Sequence, residues 1–335
     1  MHEISILAFT ERGMALANRL GAALDAEVSR AGTDGVSLTA WTRERFSACR
    51  ALVFVGAAGI AVRAVAPHLK SKTTDPAVVV VDELGQFAIP LVSGHLGGAN
   101  ELALRIAQAL GATPVITTAT DVNGVFAVDL WAKEQNLTVL QPEKIKRVSG
   151  KLLAGEPIAV SCPWEIAGAP PENVARGQAA DVVVDVRAYA GGALQLVPRV
   201  LTLGVGCRKG ISEAQLEAAF QTFCVERGVC PEAVCAAASI DVKQTEPGLL
   251  AFCRAHGWET SFFSAEALAA ARGDFSASDF VRQTVGVDNV CERSACVRSG
   301  GRIFEKKYAA GGVTFALAIT LPQLDWRWQP WERCM

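Results

Sequence analysis

The sequence predicts an α/β protein: two α/β domains with mainly parallel sheets, joined by a small mixed middle segment. Three observations predict it. Short β-branched and apolar runs alternate with helical periodicity from residue 3 to about 135, and again from 198 onwards. Glycine-rich turns stand where strands hand over to helices, at residues 56–59, 94–98 and 204–210. Between the two series, residues 142–197 lose the alternation and fill with proline and glycine. The expected domains therefore run 1–141, 142–197 and 198–335.

In chain order, residues 3–9 read as a strand and 12–24 as a helix, an opening βα unit. RALVFVG at 50–56 is a second strand, breaking at Gly56 and Gly59 into a short helix ended by Pro67. Val78, Val79, Val80 and Val81 read as a buried strand, because β-branched side chains suit a sheet covered on both faces. Asp82 and Glu83 end it, Gly85 permits a turn, and 87–92 with Pro90 reads as a short edge strand. SGHLGGAN then opens onto the helix ELALRIAQAL. A strand at 114–118, a polar turn at 119–123 and a helix near 126–135 close the series. Ligands of parallel sheets sit beyond the carboxyl ends of the strands, so the GAAG, SGHLGG and TTATD turns are expected on one edge.

The middle segment starts with a basic helix-like stretch, followed by strands at 157–161, 181–187 and 193–197. From Pro198 the α/β pattern resumes. RVLTLGVGCRKG is strand then glycine loop, and Ser212 with Gln215 forms a capping box for the next helix. AAASIDVKQTEPGLLAFCRAHG is strand, polar turn and helix. Residues 259–264 are a strand, and Ser264 caps the helix AEALAAA. A turn at TVGVDN, a helix at VCERSACVRSG and strands at 302–307 and 313–321 complete the fold. The end, DWRWQPWERCM, holds three of the seven tryptophans.

At 335 residues, 50% hydrophobic and 20% charged, the chain has the composition of a compact protein with little disorder. A net charge of −2 supplies no global field for nucleic acid or an anionic membrane, so an acidic ligand needs a local basic patch. No basic, apolar leader opens the sequence, and the longest apolar run, 51–62, is shorter than the ~20 residues that span a bilayer. A soluble cytoplasmic protein is expected. None of the ten cysteines forms CxxC, and Cys224, Cys230, Cys235 and Cys253 fit no metal spacing. Free buried thiols are the expectation.

Two loops carry chemical promise. Gly204-x-Gly206-x-x-x-Gly210 is one residue too long for a dinucleotide fingerprint and lacks the Lys-Ser/Thr of a phosphate loop. Arg208 and Lys209 before a helix suit a carboxylate or phosphate oxygen; a tight turn with two solvated cations is the equal alternative. His95, among glycines at a helix start, is the stronger candidate of the four histidines. The helix dipole there is expected to lower its pKa and favour the neutral base. Ser93 is a candidate nucleophilic partner. His68 joins Arg63, Lys70 and Lys72 in a basic rim or a merely solvated face. Strand alternation pairs Asp241 with Lys243. Asp121 and Asn123 orient a ligand or make an Asx turn, and Glu292 is a helix-borne partner or simply exposed.

Several long stretches resemble one family, the cobalt-precorrin-5A hydrolases of anaerobic cobalamin biosynthesis. They are GAAGIAVRAVAPHLKSKTTDPAVVVVDELGQFAIPLVSGHLGGANELA, PVITTATD, LGVGCRKG, ASIDVKQTEPGL and the segment from VGVDNVCERSA to GGVTFALA, in the family's order. The C-terminal portion alone also resembles a stand-alone protein of the aerobic pathway. The resemblance implies a hydrolase that opens the δ-lactone of a contracted tetrapyrrole and expels acetaldehyde, giving cobalt-precorrin-5B. It implies no cofactor and no protein-bound metal, because the cobalt is carried by the substrate. Partners implied are the small-molecule tetrapyrrole, without nucleic acid or membrane; other cobalamin-pathway enzymes and a homodimer stay open.

On that resemblance His95 is the expected general base, with Gly97 and Gly98 N–H groups receiving the oxyanion. Asp82, Glu83 or Asp121 orients His95 or handles the leaving proton, and Ser93 stands beside it. Arg63, Lys72, Arg208, Lys209 and Lys243 grip the carboxylates, with Gly59, Gly94, Asn100, Gly206 and Glu292 completing the binding surface. Two competing readings are a non-catalytic carrier of a corrinoid intermediate and a nucleotide-dependent enzyme.

Overall fold

A computed structural model describes residues 3–33, 35–71 and 74–328, and these fall into two compact units. Lys72 of the expected basic rim, His2, and the tail from residue 329 lie outside the described residues. The first unit takes residues up to 134, with 145–156 and 327–328; the second takes 135–144 and 157–326. The segment expected to stand in the middle is thus divided between them.

The first unit is built on β1 (Ile4–Ala8), β2 (Glu27–Arg30), β3 (Ala51–Val55), β4 (Ala77–Val81), β5 (Phe87–Val92) and β6 (Thr113–Pro114). They form one sheet in the order β2-β1-β3-β4-β5-β6. Its helices are α1 (Glu11–Leu24), α2 (Leu38–Ala48), α3 (Ala58–Val65), α4 (Ala99–Leu110), α5 (Ala119–Val122), α6 (Val128–Glu134) and α7 (Ile145–Leu153). Thr10 and Ser37 start α1 and α2 by accepting from Gly13 and Ala40 N–H. Strand alternation sorts the core into two layers. Val53, Val55, Val79 and Val81 pack with Leu16, Leu20, Ala103 and Ile106 of α1 and α4. Leu52, Phe54, Val78 and Val80 pack with Trp41, Phe46, Ala61 and Val65 of α2 and α3. Each such side chain, removed from water, stabilises by roughly 1.5–3 kcal/mol. Covering on both faces is why these strands carry unbroken apolar runs.

β1 to β4 run parallel, but β5 turns back antiparallel to β4, with Val78 opposite Val92, and β6 follows the direction of β5. This single reversal corrects the expectation of one functional edge. The GAAG turn leaves the carboxyl end of β3, whereas the SGHLGG loop lies beside the amino end of β4. The TTATD turn, following β6, falls on the same side as SGHLGG. Pro90 pairs with Val79 past the reach of two-residue β6, where its missing N–H costs no outer ladder bond. The expected strand at 114–118 is only Thr113–Pro114, and the polar turn at 119–123 is the helical turn α5. At the far end Phe126 packs against Trp131 and edge-on to Trp328, seating the start of the tryptophan-rich tail.

The second unit holds β7 (Leu137–Val139), β8 (Ile158–Ser161), β9 (Ile166–Ala167), β10 (Val174–Arg176), β11 (Val182–Val184) and β12 (Leu194–Pro198). These are followed by β13 (Leu201–Cys207), α8 (Glu213–Arg227), β14 (Val234–Ile240), α9 (Pro247–Ala255), β15 (Glu259–Phe263) and α10 (Ala265–Ala269). The unit closes with α11 (Asp279–Val285), α12 (Cys291–Ser299), β16 (Arg302–Ala310), β17 (Val313–Ile319) and β18 (Leu324–Asp325). One five-stranded sheet has the order β10-β8-β11-β12-β7, the other β15-β14-β13-β17-β16, and β18 pairs with β9.

In the second large sheet β13, β14 and β15 are parallel, and β17 and β16 add an antiparallel hairpin. Its core gathers Phe220, Phe223, Phe252 and Phe315 under α8 and α9. The capping box of Ser212 and Gln215 forms as expected, and Ser264 caps α10. Gly204 has a packing reason: a Cβ there would collide with the Cys291 carbonyl, so α12 lies directly on β13. No described helix is long and apolar enough to cross a membrane, and the nine described cysteines are free thiols.

Candidate active site

The hairpin reversal delivers Ser93 to the amino end of β4, and the loop 93–98 is wound tightly there. Ser93 adopts a left-handed φ of 58° and donates its hydroxyl to the Asp75 carbonyl at 2.9 Å. Asp75 in turn accepts from Lys70 and Ser71 N–H groups. A Cβ at Gly97 would collide with the Ser93 side chain, and Gly98 opens α4 at a φ of 85°. Gly98 N–H closes the loop onto the His95 carbonyl at 2.9 Å, which fixes the histidine at the helix start.

Two short helices then bring acids to His95 from opposite sides. Nε2 lies 2.9 Å from Asp121 Oδ2 on α5, and Nδ1 lies 3.2 Å from Asp129 Oδ2 on α6. Asn100, buried in the first turn of α4, donates to Asp121 Oδ2 at 2.8 Å and to Thr118 Oγ1 at 2.9 Å. Asp129 Oδ1 accepts from Leu130 N–H at 3.1 Å. The His95, Asp121 and Asp129 side chains are only 11%, 8% and 7% exposed. Asp121 Oδ1 is buried with no hydrogen-bond partner among the described residues.

This geometry corrects the expectation of a neutral imidazole. Burial alone would depress the His95 pKa, but its hydrogen bonds to Asp121 and Asp129, then their charges, outweigh that and raise it to about 9. Burial likewise opposes ionisation of Asp129, and the bond and charge of His95 hold its carboxyl below the ordinary range. His95 is therefore an imidazolium at neutral pH, with both N–H groups donated. One helix N-terminus cannot compete with two carboxylates at hydrogen-bond distance.

Of the other residues expected around His95, Asp121 and Asn100 arrive and several do not. Asp82 is spent in the β4–β5 turn, accepting from Leu84, Gln86 and Phe87 N–H groups. Glu83 accepts from Thr10 Oγ1 at the same turn. Both sit at the opposite end of the hairpin from His95, so neither orients it. Ser93 bonds to Asp75 and forms no pair with His95. Gly94 accepts from Asn100 N–H through its carbonyl, and Gly98 N–H is already used by His95, so the Gly98 share of the expected oxyanion hole is absent. Gly59 lies in the first turn of α3 at the other edge, where the Arg63 guanidinium folds back to within 3.7 Å of a Cβ position on it. Asn123 ends α5, donating to the Ala119 carbonyl.

Sequence reasoning missed Asp129 and Lys133. Lys133 Nζ bridges to Glu101 at 3.0 Å and stands 3.3 Å from a Cβ position on Gly98. The available signal for Asp129 was an acid set within the apolar run FAVDLW, where a buried charge demands a partner.

The second unit places a cleft of about 1120 Å³ at the carboxyl ends of β13 and β14, bounded by the β16–β17 turn and α11. Gly206, Arg208, Lys209 and Lys243 all line it, and Lys307 adds a cation that sequence reading did not single out. Ile240, Val281, Val285, Val290 and Val313 give it an apolar lining. Asp241 does not pair with Lys243 as alternation implied. Residues 241–243 form a 3₁₀ turn, and Lys243 Nζ bonds Glu246 Oε2 at 3.1 Å. Glu246 also accepts from Gly210 N–H at 2.8 Å. Burial raises its pKa, but Lys243 and Gly210 more than offset that and hold the carboxyl below its usual range. Glu292 is fully buried and does not line the cleft. It accepts from Ser276 N–H, Ser276 Oγ and Lys307 N–H, tying the 276 loop and β16 to α12.

Family comparison covers nearly the whole chain. Residues 40–121 match the "Cobalamin synthesis G N-terminal" model, 126–205 the "Cobalamin biosynthesis central region" and 201–318 the "Cobalamin synthesis G C-terminus". A cobalt-precorrin-5A hydrolase of Salmonella typhimurium is 34% identical, over 94% of this chain and 97% of its own length. One from Priestia megaterium is 32% identical over 82% of this chain and 79% of its own. A probable cobalt-precorrin-5A hydrolase of Methanocaldococcus jannaschii is 28% identical over 79% and 84%. The loops that build the ionised cluster and the cleft fall inside the matched stretches. With relatives aligned almost end to end and all three family regions present in order, the chain belongs to the cobalt-precorrin-5A hydrolase family.

Proposed function

We propose that this chain hydrolyses cobalt-precorrin-5A, opening its δ-lactone with one water and releasing acetaldehyde to leave cobalt-precorrin-5B. Membership of the family makes it a hydrolase of cobalamin biosynthesis; the reaction in detail is our reading. The observation that carries it is the cleft of the second unit, about 1120 Å³ with Arg208, Lys209 and Lys307, beside the Lys243–Glu246 pair, around an apolar lining. A flat macrocycle edged with carboxylates asks for that combination. Cations answer the carboxylates, and apolar walls take the ring face. Each charge-assisted bond contributes roughly 1.5–3 kcal/mol, so a few suffice for micromolar binding despite a net charge of −2.

The cobalt enters as part of the substrate, and the reading asks for no resident cofactor or protein-bound metal. The first unit supplies polar groups of the kind hydrolysis uses: a buried imidazolium flanked by two carboxylates. The test is incubation of the purified chain with the lactone intermediate, assaying acetaldehyde and the mass of the macrocycle. Equimolar acetaldehyde and loss of the two-carbon fragment are expected. Tight binding with an unchanged macrocycle would instead establish a carrier.

A further inference from the structure

We propose that Glu246 is a positioning residue of the macrocycle cleft: it holds Lys243 out of the grip, so that the substrate's carboxylates are received by Arg208, Lys209 and Lys307. This rests on the hydrolase reading above and concerns the same cleft in the second unit.

Glu246 is the one acid among the described residues that line the cleft. Its carboxylate joins two loops. Oε1 accepts from Gly210 N–H at 2.8 Å, on the loop between β13 and α8. Oε2 accepts from Lys243 Nζ at 3.1 Å, on the turn between β14 and α9. The seam between these loops is closed, because a Cβ on Gly248, in the first turn of α9, would stand 2.0 Å from the Ile211 carbonyl oxygen. The Lys243 and Glu246 side chains are only 15% and 7% exposed. A substrate carboxylate that recruited Lys243 would strip a buried carboxylate of its cation, which is costly.

The other three cations are differently placed. Arg208, Lys209 and Lys307 make no ion pair among the described residues. The Arg208 N–H donates to the Gly312 carbonyl at 3.0 Å, and a Cβ on Gly312 would stand 2.9 Å from Arg208 Cδ. The arginine stem therefore crosses the bare β16–β17 turn, where a φ of 84° suits glycine. Lys307 is anchored through its own N–H on buried Glu292 at 2.7 Å. Three unpaired cations on fixed backbone, with the fourth paired away, give the cleft a charge pattern that sets the register of a polycarboxylate.

Glu246→Gln keeps a carbonyl oxygen for Gly210 N–H and removes the charge that holds Lys243. The released ammonium then attracts a substrate carboxylate and draws the macrocycle out of its working pose. Binding tightens while turnover falls, the reverse of what loss of a merely structural contact does.

The experiment measures Kd by titration with the lactone intermediate, and kcat by acetaldehyde release, for wild type, Glu246→Gln and the double variant that adds Lys243→Met. Glu246→Gln is expected to bind at least about threefold tighter and to lose at least about tenfold in kcat. Adding Lys243→Met should cancel the gain in affinity. Weaker or unaltered binding by Glu246→Gln, or tighter binding at wild-type kcat, would overturn the assignment. Amine acetylation of wild type, read by peptide mass spectrometry, decides even where the variants fail to fold. Exposed Lys209 should react faster than paired Lys243, and bound macrocycle should protect Lys209 and Lys307. Lys243 reacting as fast as Lys209 in the free protein would overturn the assignment. Absence of acetaldehyde from wild type would remove the hydrolase reading alone, since the affinities and the acetylation pattern still judge Glu246.

Discussion

Replacing His95 by glutamine and following stability against pH tests the ionised cluster independently of substrate. In the folded chain His95 rises from an ordinary 6.5 to about 9. That corresponds to about 3 kcal/mol of stability at about 1.4 kcal/mol per pH unit. The sign follows from the direction. A raised folded-state pKa means the native state binds the proton more tightly, so the contribution is complete below about pH 6.5. It declines from there and is gone once pH passes about 9. The side chain is 11% exposed, so solvent screening removes little of it. Urea denaturation of wild type and His95→Gln at about pH 6 and about pH 10 isolates the cluster's contribution, because titrations away from the cluster are common to both. The stability advantage of wild type over His95→Gln should shrink by about 3 kcal/mol between the two conditions. An advantage that is constant, or larger at high pH, would refute an imidazolium held by two carboxylates. Asp129, with its depressed pKa, gives the complementary limb: its contribution is present above the ordinary aspartate range and lost in stronger acid.

Ser93→Ala should leave kcat within about threefold of wild type and cost about 1 kcal/mol in thermal unfolding, since the hydroxyl serves the Asp75 carbonyl and not the chemistry. Glu292→Gln leaves a buried site that satisfied three donors with an amide that cannot, and should destabilise the second unit by about 2–3 kcal/mol in urea titration. Lys209→Ala is expected to weaken substrate binding about tenfold, a loss of about 1.4 kcal/mol, with kcat little changed. Unaltered affinity on titration would remove Lys209 from the grip.

Much of this was legible in the sequence because the signals were local. Unbroken valines announced a doubly covered strand, and Ser212 with Gln215 announced a helix start; both depend on neighbours in the chain. His95 was conspicuous for the same reason, set among glycines that only a tight loop requires. What escaped depends on pairing. The antiparallel return of β5 is set by which strand Phe87–Val92 joins, and no periodicity encodes that. It moved Asp82 and Glu83 away from His95 and brought Asp121 and Asp129 in. Asp129 lies 34 residues from His95, so its role follows from tertiary packing alone. The protonation state of His95 reversed for the same reason: the helix start was visible in the sequence, the two flanking carboxylates were not. Glu292 looked like any acid on a helix, and only its burial against Ser276 and the Lys307 N–H shows it to be structural.

The central claim, hydrolytic opening of the lactone by this chain, is tested most directly by running the reaction in ¹⁸O-labelled water and weighing the product macrocycle. The account predicts equimolar acetaldehyde and one ¹⁸O in the newly freed carboxyl group. A macrocycle recovered unchanged, or one that loses its two-carbon fragment without taking up label, would contradict it.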